Sequence, residues 1–227
     1  MASKTTIDGL ELTRYVQASF KVKGGGLVVF VDPHRITDKE VGAEKADIIL
    51  STHPHGDHMD PAAMKACAKA DTIIVTNPAV AAQLPADVKS KWKVVAIRAG
   101  ESTTQKGVFI KAVAGYNQYH PKEQGFNTGF VFTLGGKTLF HGGDTGKCPE
   151  MGQMGKVDIA LVPIGGTYTM DEKEAAEAVR EWIKPKWAIP MHYGYATGGD
   201  PEKFKSLVGP GVTVQVLEPV LNIKWGG

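Results

Sequence analysis

The chain has 227 residues, 42% of them hydrophobic and 22% charged, and its 26 basic and 24 acidic side chains leave a formal net charge of +2. A chain of this length buries a large core without covalent staples, and this composition is that of a soluble globular protein rather than a disordered one. The near balance of charge, with no block of like charges, excludes the electrostatic footprint of a nucleic-acid or acidic-membrane binder.

The only cysteines are Cys67 and Cys148. Two thiols do not make a disulfide scaffold, so a reducing, cytoplasmic setting is expected. The opening MASKTTIDGLELTRY has no apolar core of a signal peptide, and runs such as LVVFV (27–31) are too short to span a bilayer. No repeat or low-complexity linker divides the chain, so residues 1–227 read as one domain.

In chain order, 11–22 and 27–32 read as strands joined at Gly24-Gly25-Gly26. ADIILST (46–52) reads as a buried strand, because its centre is continuously apolar. A helix over 61–70 follows, with Asp60 as cap and Pro61 in first position. TIIVT (72–76) is a strand, and Asn77-Pro78 opens a short helix to about Gln83 by the same logic. Strands over 92–97 and 108–113 complete the first half. The second half begins with a hairpin, 130–134 and 138–142, around Gly135-Gly136. Then come a strand (157–163), a helix opened by the capping box Asp171/Glu174, a strand (186–192), a helix (202–208) and a strand (212–217). Hairpin strands first, then strands alternating with helices, predict packed sheets flanked by helices, an α/β (α+β) class.

Between the strand 46–52 and the helix after it lies STHPHGDHMD (51–60), which holds three of the seven histidines. Imidazole and carboxylate at a strand-to-helix turn suit a borderline divalent metal, zinc first, with iron and manganese as options. Pro54 stiffens the turn and Gly56 lets it bend sharply. Three more candidates sit in Gly- or Pro-punctuated loops: His120 in YNQYHPKEQG (116–125), Asp144 in HGGDTG (141–146) and His192 in PMHYG (190–194). If these loops converge, there are ligands enough for two metals.

THPHGDH, the separate downstream histidine, GDTG and the final PMHY together resemble the metallo-β-lactamase superfamily. The likeness is to its branch of small metal-dependent hydrolases that includes ascorbate-6-phosphate lactonase-like proteins, and it covers nearly the whole chain. VDP (31–33) and TGFVFTLGGKTLFHGGDTG (128–146) read like that branch too. The resemblance implies a four-layer αββα sandwich with metals in a groove between two sheets. It implies His53, His55 and His120 around one metal, Asp57, His58 and His192 around the other, and Asp144 bridging. It also implies Asp32 and Thr52 as outer groups that orient the ligand loop. In one place the sequence departs from the branch: Val16-Gln17 stands where Gly-His is frequent.

The implied chemistry is a binuclear hydrolase. Two divalent ions hold a hydroxide near neutral pH, and the hydroxide attacks an ester, lactone or phosphodiester. Asp57 is the candidate proton acceptor. At this length no room is expected for the additional domains that nuclease and glyoxalase relatives use to grip large substrates, so a small molecule is expected, with no nucleic-acid or membrane partner; no oligomeric state is legible. Asn117, Tyr168 and Tyr193 are candidate substrate contacts, with Tyr116 in the same loops. Cys148 reads as a small buried residue, because nothing pairs it with a base. His34 reads as a solvated loop histidine, and His141 as a non-ligand. An iron-dependent redox enzyme of the sulfur dioxygenase kind, or a non-catalytic metal module, are the alternatives on the same fold.

Overall fold

The computed structural model describes residues 2–122 and 125–224. Met1 and residues 225–227 of the 1–227 unit, and Glu123 and Gln124 of the 116–125 loop, lie outside the described residues. The strands form two seven-stranded sheets. The first holds β1 (Lys4–Ile7), β2 (Leu10–Arg14), β3 (Phe20–Gly24), β4 (Leu27–Val31), β5 (Ala46–Ser51), β6 (Ala68–Thr76) and β7 (Lys93–Ala96), side by side in chain order. The second holds β8 (Ser102–Gln105), β9 (Val108–Ala114), β10 (Thr128–Leu134), β11 (Lys137–His141), β12 (Ile159–Pro163), β13 (Trp187–Met191) and β14 (Thr213–Val214), again in order.

Each sheet changes from antiparallel to parallel at its fourth strand. The turn chemistry explains the switch. Gly25 and Gly26 have φ of 57° and 79°, and Gly135 and Gly136 have 56° and 75°. Two successive left-handed residues make the tight hairpin that joins antiparallel neighbours. Parallel neighbours need a crossover. These are α1 (Asp38–Val41), α2 (Pro61–Cys67), α3 (Pro78–Gln83) with α4 (Ala86–Lys91), α5 (Glu172–Glu177) and α6 (Pro201–Val208). A 3₁₀ turn, Pro149–Gln153, lies between β11 and β12.

Strand alternation then sorts the core into layers. In β4, Val29 and Val31 point into the space between the sheets, beside Ile48, Phe130, Phe132 and Ile189. Val28 and Phe30 point the other way, onto Met64, Cys67, Val80 and Val88 of the first helical layer. Ala160 and Val162 of β12 likewise face Ala175, Val179 and Phe204 of the second. Both faces are covered, which is why these strands read as unbroken apolar runs. Each fully buried Val, Leu, Ile or Phe stabilises by roughly 1.5–3 kcal/mol relative to exposure. The architecture is the α/β (α+β) αββα sandwich that the resemblance implied. Among the described residues no helix is long and apolar enough to cross a membrane.

Several expected boundaries move. The strand expected over 11–22 is two strands, β2 and β3. Residues 15–19 form a turn closed by Ser19 N–H to the Val16 carbonyl (2.8 Å) and Tyr15 N–H to the Ser19 carbonyl (2.8 Å). The helix expected over 61–70 stops at Cys67, because Ala68 is already extended and pairs with Ala46. The helix from Asp171 does carry its reciprocal capping box with Glu174, but after Glu177 it widens into a π-type segment, Ala178–Ile183. Of 212–217 only Thr213–Val214 is strand, although Gln215 N–H still donates to the Ala188 carbonyl at 3.0 Å. β1, β8, α1 and α4 were not legible in the sequence.

Candidate metal centre

The expected ligands lie at the C-terminal ends of strands, where α/β sheets place their sites. His53, His55, Asp57 and His58 follow β5. His120 follows β9, Asp144 follows β11, and His192 follows β13. The first loop folds on itself through His58 N–H to the His55 carbonyl (2.9 Å), and Ser51 Oγ donates to the His58 carbonyl (3.1 Å). Asp60 then caps α2 through the Ala62 and Ala63 amides at 3.0 and 3.1 Å. The tight turn sets His55 towards His120 (3.3 Å) and Asp57 towards His192 (3.8 Å), with the His53 and His58 rings side by side between them, centres 4.0 Å apart, and together with Asp144 these two form a third candidate group.

The structure brings all seven expected ligands together. His53, His55 and His120 could hold one ion, and Asp57, His58 and His192 a second, with the ligand atoms in each group within 4.8 Å of one another. His55 Nδ1 lies 3.1 Å from His53 Nε2 and 3.3 Å from His120 Nε2. Asp144 stands between the groups. Its Oδ1 is 3.1 Å from His58 Nε2 and 3.0 Å from His192 Nε2, and its Oδ2 is 3.9 Å from His53 Nε2. His58 Nε2 and Asp144 Oδ1 are both buried, yet they make no aligned hydrogen bond. Leaving such a pair unsatisfied is costly, and a cation between them removes the cost. Nitrogen and carboxylate donors at these separations fit a pair of divalent ions.

The two groups differ electrostatically. Burial, with His58 next to it, pushes the His53 imidazole well below the usual histidine range. Burial lowers His55 too, and pushes His120 down to about 4. These rings are neutral at pH 7 and available to a metal. Burial also opposes a charge on His58, but Asp144, Asp57 and Asp32 outweigh it and raise its pKa well above the usual value. Burial opposes ionised Asp144 and Asp57, yet the facing histidines, His192 and His58 chief among them, hold both carboxyls below the normal range.

Asp32 and Thr52 lie behind the ligand loop. Asp32 Oδ2 accepts from His58 Nδ1 at 2.7 Å, which leaves His58 Nε2 for a metal. Asp32 also accepts from Thr52 N–H and Thr52 Oγ1, both at 2.8 Å. Asp32→Asn removes the charge behind His58, and the affinity of the second group for metal is expected to fall roughly 10–100-fold. Competition with a chromophoric chelator checks this; a variant that holds its metal as tightly as the wild type would remove Asp32 from the account.

Two supporting residues were not assigned from sequence. Gln17, at the Val16-Gln17 departure, is buried and places its Nε2 3.2 Å from Asp57 Oδ2 and 3.1 Å from His192 Nε2. Its carbonyl accepts from His192 N–H at 3.0 Å. Asn127 Nδ2 donates to the Asp144 carbonyl at 2.7 Å. Gln17, Asp32 and His192 all have positive φ, 55°, 46° and 56°. Such backbone costs about 1–2 kcal/mol per non-glycine residue and persists where the surroundings enforce it. Three of the seven described non-glycine residues with positive φ thus lie within this one ligand network.

The other candidates divide. Tyr168 lines the cavity over the cluster. Asn117 does not offer itself to substrate: its Oδ1 accepts from the Tyr119 and His120 amides at 2.8 and 3.0 Å, and its Nδ2 donates to the Tyr168 carbonyl at 2.7 Å. It braces the loop instead. Tyr193 lies away from the cavity, under the Arg14 guanidinium 3.9 Å from its ring centre. Tyr116 is held by Glu150 at 2.9 Å. Tyr119, next to His120 and lining the cavity, was missed; its adjacency to a ligand was the available signal. His34 is buried rather than solvated, 3.3 Å from the Tyr195 hydroxyl and 3.5 Å from Asp60. His141 donates through Nε2 to the Ala18 carbonyl at 2.8 Å and accepts from Gly143 N–H at 3.2 Å, so neither ring nitrogen faces the ligands.

Both thiols are buried, and burial raises their pKa values. Ellman's reagent is therefore expected to leave Cys67 and Cys148 untouched in the native protein and to label both after unfolding. Rapid labelling of Cys148 in the folded state would contradict the buried assignment.

Residues 11–192 match the β-lactamase superfamily domain, and the chain belongs to that superfamily. Within it the chain belongs with the UPF0173 metal-dependent hydrolases. It is 35% identical over 215 residues to one from Pyrococcus abyssi, covering 89% of this chain and 93% of that protein. It is 36% identical over 230 residues to one from Thermoplasma acidophilum, covering 94% and 97%. Its fold is similar to that of Igni18, a metallo hydrolase of the archaeon Ignicoccus hospitalis, with a TM-score of 0.77 and 26% identity over 92% of this chain and 95% of that one.

Proposed function

We infer that this chain is a binuclear metal-dependent hydrolase acting on a small ester, lactone or phosphodiester. The observation that carries the reading is the Asp144 carboxylate, set with one oxygen against His58 and His192 and the other towards His53. Bound there, divalent ions would supply Lewis acidity and would lower the pKa of a bound water to about 7. Zinc suits the histidine-rich donors best, and manganese or iron also fit.

The chain's own residues do the rest. His53, His55 and His120 bind as neutral imidazoles. His58 is aimed by Asp32. Asp57 remains ionised, half-buried and tied to Gln17, which suits it as a ligand; its lowered pKa makes it a weak base, so any proton it accepts near the second group is relayed onward rather than held. The cavity above the cluster is about 460 Å³, the size of a small-molecule site. The family supports hydrolysis, because its relatives carry that description. Elemental analysis of purified protein tests the reading together with a panel of lactones, esters and phosphodiesters. Two equivalents of transition metal and chelator-sensitive turnover are expected. Less than one equivalent, or turnover indifferent to chelators, would end it.

A further inference from the structure

The cavity walls that do not belong to the ligand cluster carry a chemical preference. Apart from the histidines and aspartates, the cavity is lined by Gln17, Tyr119, Tyr168 and Ala196. No described lining residue is Lys or Arg. The nearby cations are engaged elsewhere: Lys122 with Glu150 at 2.5 Å, Lys147 with Glu177 at 3.0 Å, and Arg14 with the Leu217 and Tyr193 carbonyls, both at 2.9 Å.

Tyr119 and Tyr168 are 49% and 45% exposed, among the most exposed large hydrophobic side chains described. They meet edge to face, with ring centres 5.0 Å apart and planes at 71°. They come from separate loops, and Asn117 fixes both: it accepts from the Tyr119 amide and donates to the Tyr168 carbonyl, while also bonding His120. The pair is thus a braced wall, set at a constant distance from a metal ligand. An exposed aromatic pair at a site is a surface on which a further flat group stacks.

Building on the hydrolase reading, we propose that the part of the substrate outside the scissile bond is uncharged and carries a flat, preferably aromatic, ring that packs on the Tyr119–Tyr168 wall. The positive charge available to a substrate is that of the metals, and the reacting oxygen takes it. A second anionic group, such as a phosphate on the far end, meets two phenols and an alanine but no cation, and so gains no ion pair to offset its desolvation. The favoured substrates are then aryl-bearing neutral lactones or esters, and not sugar phosphates.

Binding of inert analogues tests this apart from turnover. Dihydroquinolinone is a neutral benzo-fused lactam, piperidinone is the same ring without the arene, and a ring-sulfonated dihydroquinolinone adds an anion. Titration of the metal-loaded protein by NMR or calorimetry is expected to show dihydroquinolinone binding at least about tenfold tighter than piperidinone, with no gain from the sulfonate. Tyr119→Ala and Tyr168→Ala each lose most of that preference, Tyr119→Phe and Tyr168→Phe keep it, and piperidinone affinity and metal content stay unchanged in all four. Equal affinities for the two neutral lactams overturn the proposal. So do equal losses for both lactams in the alanine variants, or tighter binding of the sulfonate. If the preference holds but no ester, lactone or phosphodiester is turned over, it is the hydrolase reading that fails and the aromatic wall that stands.

Discussion

Asp144→Ala lowers kcat/KM by at least about a thousandfold, equivalent to roughly 4 kcal/mol of transition-state stabilisation, and leaves a protein that holds at most one metal per chain. The reason is its position. One carboxylate reaches His58 and His192 at 3.1 and 3.0 Å and turns its other oxygen towards His53. Thr52 Oγ1 also reaches both groups, 3.1 Å from His53 and 3.4 Å from His58, but on the Nδ1 side of those rings, whereas Asp144 faces their Nε2 atoms. Its main-chain carbonyl is held by Asn127, so truncating the side chain leaves the backbone of the loop in place. Circular dichroism and elemental analysis beside the kinetics separate loss of the site from loss of the fold. An Asp144→Ala protein that keeps two metals and a tenth of its activity would show that Asp144 is not the bridge.

Stripping the metal is the second large effect, and the two groups should not release it together. His53, His55 and His120 have lowered pKa values, so at pH 7 they bind a cation without first losing a proton. His58 has a raised pKa, so at pH 7 it carries a proton that the metal must displace. Metal binding by the second group therefore weakens as pH falls from neutrality, and the first group keeps its ion to lower pH. Calorimetry in buffers of different ionisation heat should show about one proton released per ion at the second group and none at the first; equal release at both would contradict the assignment.

Complete removal by chelator should abolish turnover. At ion concentrations near a hundred times Kd the lost linkage is about 2.7 kcal/mol for each ion, or a drop in Tm of roughly 5–10 °C per ion. The metal-free protein then responds to acid. The unfolded chain protonates its histidines near pH 6.5, while folded His120 does so only at about 4, with His53 and His55 also lowered. Between those values the unfolded state binds more protons, so stability falls as pH falls. His58 acts in the opposite sense, its contribution being lost as pH rises past its raised pKa.

How much of this could be read beforehand depended on distance along the chain. STHPHGDHMD announced a metal by itself, because four ligands and their turn residues lie within one loop. The Asp171/Glu174 capping box and the Gly25-Gly26 and Gly135-Gly136 hairpins were equally local. The break at residues 15–19 was not legible: it has no Gly or Pro, and its turn is stabilised by contacts with Asp57, His192 and His141 that exist only in the folded molecule. The same holds for the burial of His34 against Tyr195 and for the position of Tyr193, whose ring is claimed by Arg14 from the far end of the sequence. That His120, Asp144 and His192 converge was implied by resemblance, not by spacing.

The strictly sequential strand order has one more consequence. No strand pairing among the described residues joins the two sheets, so the chain could be cut near Ala99-Gly100 without breaking one. Such a cut would place His53, His55, Asp57 and His58 on one fragment and His120, Asp144 and His192 on the other. Neither fragment would then hold all of His53, His55 and His120, nor all of Asp57, His58 and His192. The backbone bonds from Thr128 N–H to the Thr52 carbonyl and from His192 N–H to the Gln17 carbonyl cross at the same end. On the binuclear reading proposed above, metal content thus serves as a gauge of whether the two halves have found each other, and the ions themselves favour reassembly of a split version of this protein.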